Sequence, residues 1–251
     1  MDFWKLMDVT HKYQRIMNPI TEAKLDSLIR LINLKPGSRV LDIACGKGEL
    51  LIKLVENYQI KGIGVDKSPY CIDDCNKNKT ERAPNADLVF HLMDGADYRP
   101  EGKLDMTCCL GASWVFGGHE KTLKALSGIT QPGGMILVGE PHWLKEPEPN
   151  YLVAEGVTHD SFRSHHGNVG AGDQLGLKCI YTLDGGWDGW DYYESLHWWA
   201  VEDYIASNPN DPDVKEIRLA NEKSKETYLR WGRDTLGWCL YLFKNSDYPL
   251  F

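Results

Sequence analysis

The segment VLDIACGKGEL, Val40 to Leu50, runs from an apolar strand pattern through a glycine-bearing turn into a helical pattern. A strand, a short turn and a helix N-terminus make the ligand-facing corner of an open α/β sheet. Gly46 and Gly48 lack a Cβ, so a bound molecule can approach the backbone closely there. A dinucleotide turn carries G-x-G-x-x-G, whereas here Leu51 falls near the third glycine position. Asp42 would repel a phosphate and attract an ammonium, so the turn reads against a pyrophosphate ligand.

Outward from this corner, strand-like and helix-like patterns alternate. Ile20 to Ile32 has helical spacing and is stopped by Lys35-Pro36-Gly37; Glu49 to Tyr58 and Pro69 to Lys79 are the next helices. Apolar runs at Val40–Ile43, Gly62–Val65, Leu88–His91, Met106–Leu110 and Met135–Val138 read as strands, with further strands near Lys178–Leu183 and at Trp238–Phe243. Continuous apolar runs are the mark of strands buried on both faces. The expected fold is therefore α/β, a doubly wound, mostly parallel seven-stranded sheet, with a helical insert over Gly185–Gly237 before the last strand. A single domain over residues 1–251 is expected, with a core at 20–143, a covering segment at 144–176 and the insert at 185–237 on the substrate side.

The chain carries a formal net charge of -8 and no dense Lys/Arg footprint, which excludes a nucleic-acid backbone as partner and leaves a small molecule. The N-terminal stretch MDFWKLMDVTHKYQRIMN has no basic segment followed by an apolar core, and no stretch reaches the length of a membrane span; a cytoplasmic protein without a membrane partner is expected. Seven cysteines, with Cys108 and Cys109 adjacent in an apolar run, read as reduced core thiols. Cys71 and Cys75 have no second ligand pair, so no metal is expected. Monomer and homodimer both remain open.

VLDIACGKGELL, GIGVDKS, MDGADY, LDMTCCLGASW and PGGMILVGEP, in this order, resemble the motif set of class I S-adenosylmethionine-dependent methyltransferases, of the bacterial small-molecule type. The resemblance spans residues 20 to 143 and implies a Rossmann-like methyltransferase fold with S-adenosyl-L-methionine as cofactor. It implies that Asp42, Gly46 and Gly48 support the methionine part and that Asp66, with Lys67 beside it, meets the ribose hydroxyls. It further implies that Asp94 and Gly95 meet the adenine and that Leu110 and Gly111 flank the methionine. Ala44 stands where the family's D-x-G-x-G-x-G pattern has its first glycine, which implies altered loop packing with the cofactor retained.

The acceptor side is less explicit. Ser113 and Trp114 stand where the family presents residues to the acceptor, and Asn18, followed by Pro19, is placed to close the site from the other side. Five tryptophans fall in the 185–237 insert; among its aromatics Trp187, Trp190, Tyr192, Tyr193, Trp198, Trp199 and Tyr204, Trp187 and Trp190 are the candidates for a substrate cage, against the plainer role of packing the insert on the sheet. If the acceptor must lose a proton, His119, Glu140 and His142 at the strand ends are the candidates, against a capping role for His119, a backbone acceptor role for Glu140 and a packing role for His142. The function expected is methyl transfer to a nitrogen, oxygen or sulfur nucleophile by in-line displacement. A noncatalytic cofactor-binding regulator, a cyclopropane-forming lipid enzyme and a nicotinamide oxidoreductase are the other readings weighed.

Overall fold

The computed structural model describes residues 1–246. Strands β1 (Arg39–Ile43), β2 (Lys61–Asp66), β3 (Leu88–Leu92), β4 (Leu104–Leu110) and β5 (Thr130–Trp143) lie parallel in the order β3-β2-β1-β4-β5. β8 (Leu236–Asn245) runs antiparallel between β5 and β7 (Leu177–Asp184), which closes the sheet. The seven expected strands are joined by an eighth, the two-residue β6 (Arg163–Ser164), which pairs with His142 and Trp143 at the end of β5.

Helices cover both faces. α2 (Glu22–Leu31) and α3 (Glu49–Tyr58) bury Leu25, Leu28, Leu51 and Leu54 on the face that also holds Trp238. α5 (His119–Ile129) and α7 (His165–Gln174) bury Leu123, Leu126 and Ala171 on the other. The local chemistry explains the helix starts: Thr21 caps α2, accepting from the Lys24 amide, and Ser68 with Pro69 behind it begins α4 (Pro69–Arg82). Between β1 and β4 the strand order reverses, and there the carboxyl ends of the strands leave a crevice.

The segment expected as an open cover, residues 144–176, is instead built from α6 (Pro149–Glu155), a short 3-10 turn, β6 and α7, and α7 packs on α5, β5 and β7. A separate helical cap sits over the crevice. α1 (Phe3–Thr10), α8 (Gly186–Ser207) and α9 (Val214–Thr227) share a small core of Val9, Val201, Ile205 and Ile217. Lys5 ties α1 to Asp211 at 2.8 Å and Asp213 at 2.6 Å, and Lys12 reaches Asp203 at 2.6 Å. Among the described residues no helix is long and apolar enough to cross a membrane.

Candidate functional site

The turn after β1 is held open by backbone geometry. Ala44, Gly46 and Gly48 take φ values of +54°, +53° and +75°, the left-handed region that favours glycine and is strained for alanine. Asp66, at the end of β2, accepts hydrogen bonds from the Gly46 amide at 2.9 Å and the Ser68 amide at 2.8 Å, so one buried carboxylate fixes both loops. Gly111 ends β4 at φ +70°, and a Cβ there would run into the side-chain oxygen of Asn18. At Gly46 a Cβ would come within 3.1 Å of Met17 Sδ. The residues just before α2 thus lie directly against the two glycine turns.

These turns line a cavity of about 270 Å³. Asp42 and Asp66 form its buried acidic floor, and Asp42 Oδ1 has no hydrogen-bond partner. Burial, then the neighbouring Asp66 charge, pushes the Asp42 carboxyl up to about 8; burial also raises Asp66, against the pull of its backbone donors. Carboxylates outnumber cations along the wall, and the lysines are paired: Lys47 with Asp74 at 3.0 Å and Lys67 with Asp94 at 3.1 Å. Asp94 also accepts from the Ala96 amide at 3.0 Å, and that bond and Lys67 hold its carboxyl below the usual range. An acidic, partly desolvated pocket of this kind selects a cationic or neutral polar ligand.

The cap supplies the opposite wall. Trp4, Met7 and His11 of the N-terminal segment line the cavity with Tyr193 of α8. His11 Nδ1 lies 2.9 Å from the Met7 carbonyl, which can only accept, and 2.9 Å from the Thr10 hydroxyl, which gives its own proton to the Leu6 carbonyl at 3.0 Å, so Nδ1 carries the proton and Nε2 accepts from the Tyr193 hydroxyl at 2.9 Å. Burial lowers His11 to about 4, which keeps the ring neutral at pH 7.

The methyltransferase-domain family model matches residues 40–134. The uncharacterized protein YjhP of Escherichia coli (strain K12) is 31% identical over 243 residues, covering 96% of this chain and 98% of its own length. A methyltransferase structure from Thiobacillus denitrificans, in complex with S-adenosyl-L-homocysteine, superposes with a TM-score of 0.90 at 30% identity, over 97% of this chain and 99% of that one. A methyltransferase from Geobacter sulfurreducens, also with S-adenosyl-L-homocysteine, gives 0.90 at 29%, over 95% and 97%. The chain belongs to the class I S-adenosylmethionine-dependent methyltransferases.

In this methyltransferase the structure brings most of the cofactor candidates together: Asp42, Ala44, Gly46, Asp66, Lys67 and Asp94 line one cavity, as do Gly95, Leu110 and Gly111. Gly48 does not. It caps α3, and a Cβ on it would meet Cys75 and the Phe90 ring at 3.0 Å, so its glycine serves packing. Asn18 and Trp114 also line the cavity, Trp114 with 64% of its surface exposed.

The remaining candidates fall elsewhere. Strand alternation turns Glu140 and His142 to the face of Ile136 and Val138, opposite that of Asp42, whose register neighbours are Cys108 and Leu137. There Glu140 accepts from Ser113 Oγ at 2.9 Å and lies 3.8 Å from His119, while His119 Nε2 pairs with the Asn168 carbonyl at 3.0 Å. Burial pushes Glu140 up to about 7 and His119 down to about 4, so both favour their neutral forms in a buried cluster that does not border the cavity. His142, lowered by burial, faces Asp184 at 3.7 Å. Ser113 stays with that cluster. Trp187 is 57% exposed under the Arg233 guanidinium, and Trp190 stacks on Tyr228 at 6.2 Å; neither reaches the cavity. Residues 144–176 contribute nothing to its wall, which α1 covers instead.

The sequence reading missed α1 and the pairing of Tyr193 with His11. Phe3–Thr10 spans only 8 residues, too short a window for its periodicity to decide, and the Tyr193–His11 contact joins residues 182 positions apart. Among the described residues no group of three or more His, Cys, Asp or Glu side chains could hold a metal ion.

Proposed function

We propose that this methyltransferase transfers the methyl group of S-adenosylmethionine to a neutral small-molecule acceptor within the cavity between the sheet and the α1–α8 cap. The observation that carries the reading is the buried Asp42–Asp66 floor, with an unpartnered Asp42 oxygen, beside the Gly46 and Gly111 turns. Such a floor matches a ligand that carries both an ammonium and a sulfonium. Asp42, through that free oxygen, would accept from the ammonium, and the Gly46 and Gly111 backbones would flank the methionine part. Asp66 keeps one oxygen on each loop amide and would meet the ribose hydroxyls; Asp94, Gly95 and Val115 would border the adenine. The trans-aconitate enzymes among the relatives act on a different kind of acceptor by name, and the acidic wall here disfavours a polyanion.

Bound there, the cofactor supplies a methyl group already activated as a sulfonium, so the chain's task is placement and exclusion of water. Trp4 and Met7 on α1 close the apolar side, Asn18 braces the turn at Gly111, and Trp114 stands at the rim. With His119, Glu140 and His142 outside the cavity, the chain places no general base among them against the acceptor.

Calorimetric titration with S-adenosylmethionine and S-adenosylhomocysteine tests the reading. Micromolar binding of both, lost in Asp66→Ala, supports it, and release of S-adenosylhomocysteine then reports turnover in an acceptor screen. Absence of binding by the folded wild-type chain overturns it.

A further inference from the structure

Tyr193 and His11 form a hydrogen-bonded side-chain pair of the cap that borders the cavity. Its polarity is set by the chain. The Nδ1 proton of His11 goes to the Met7 carbonyl, the Tyr193 proton goes to His11 Nε2, and the His197 ring packs against both partners with centroids 4.4 Å away. With its proton committed, the Tyr193 oxygen keeps lone pairs free to accept, on a residue that lines the cavity. Around it, Phe3 and Trp4 meet edge to face at 5.0 Å, and Met7 adds a polarizable thioether.

We propose that this corner is the acceptor subsite and that it selects a planar, neutral molecule bearing one O–H or N–H, a phenol or an aromatic amine, whose proton is received by the Tyr193 oxygen. The proposal deepens the methyl-transfer reading and rests on it. A hydrogen bond from acceptor to Tyr193 turns the acceptor's lone pair away from the cap; His11 is a positioning residue, acting through Tyr193. As the methyl passes from sulfur to the acceptor atom and the C–S bond breaks, the acceptor's proton passes to the Tyr193 oxygen and the Tyr193 proton to His11 Nε2, so the methylated acceptor lacks the hydrogen and loses the bond, which favours release of the product.

Phenol and anisole, which differ by that one hydrogen, are the probes. Each is titrated by calorimetry into wild-type protein, free and loaded with S-adenosylhomocysteine, and into Tyr193→Phe and His11→Leu. The expected result is phenol binding at least about tenfold tighter than anisole in the wild type, a preference that Tyr193→Phe abolishes. His11→Leu keeps the phenol ring but frees the Tyr193 proton, so anisole gains relative to phenol. A variant that merely loosened the cap would weaken both probes alike. Equal affinities in the wild type, no saturable phenol binding, or a preference retained in Tyr193→Phe each overturn the proposal. Failure of S-adenosylhomocysteine to bind would instead overturn the donor reading, while the probe preference in the free protein still tests the pair.

Discussion

The two walls of the cavity are held together by different kinds of interaction. The sheet side is local: Asp42, Gly46, Asp66 and Gly111 stand at the ends of β1, β2 and β4, and each turn is shaped within a few residues of its strand. The cap side is remote: α1 is fixed by Lys5 to Asp211 and Asp213 and by His11 to Tyr193, contacts across 182 to 208 positions of sequence. On the proposed reading, strand geometry would set the binding of the donor, and pairs that form only when distant parts of the chain meet would set access to it.

Substitutions on the two sides should separate accordingly. The largest expected effect is at Asp66→Ala, which removes two amide acceptors and the carboxylate. Donor affinity should fall about 100-fold or more, from roughly 2–3 kcal/mol per charged hydrogen bond, as read by calorimetry. Gly111→Ala adds a Cβ at φ +70° against Asn18 and should lower unfolding stability by about 1–3 kcal/mol in denaturant melts, with donor affinity falling alongside.

The Asp42 carboxyl sharpens the contrast through pH. Folded, it keeps its proton up to about 8; unfolded, it releases it near the ordinary value of 3.8. The folded chain therefore binds more protons across that window, so this group makes stability fall as pH rises from about 4 to about 8 and level off above. Asp42→Asn should remove its own part of that pH dependence of melting temperature, leaving the slopes from the other raised carboxyls, Asp66, Glu140 and Glu194 among them. Tighter donor binding should accompany rising pH, because a cation favours the ionised carboxylates.

On the cap, Lys5→Ala should leave equilibrium donor affinity nearly unchanged while speeding release of S-adenosylhomocysteine roughly two- to fivefold in stopped-flow traces, as α1 opens more often. The smallest effect is expected at Trp187→Ala. That ring is exposed and outside the cavity, so donor binding should be unchanged and stability should move by about 0.5 kcal/mol or less. A marked loss of donor affinity at Lys5 or Trp187 would break the division.

The same division explains what could be read from the sequence. The runs at Val40–Ile43, Gly62–Val65 and Met106–Leu110 lie inside β1, β2 and β4, because strands buried on both faces announce themselves residue by residue. The cavity-lining acids and glycines were marked by the resemblance to the methyltransferase motifs, which stand at the ends of these strands and of β3. Glu140 and His142 were nominated because they end β5, but period-two alternation sends them to the face under α5 and α7. The aromatics of α8 stand out in the sequence as a group, whereas of that group the cavity takes only Tyr193. No local pattern marks a tyrosine whose meaning depends on a histidine in the first turns of the chain.

The position of β8 has a consequence for how the molecule is made. β7 has β8 as its partner in the sheet, and α8 and α9 are synthesised between them. At about 5–20 residues per second, β7 waits roughly 3–10 s and the outer edge of β5 roughly 5–20 s for the strand that joins them. During translation both present open, apolar edges to other nascent chains, while β1 to β4 already have neighbours. Aggregation on overexpression should therefore begin at the β5–β7 gap, on the side of the sheet away from the cofactor loops.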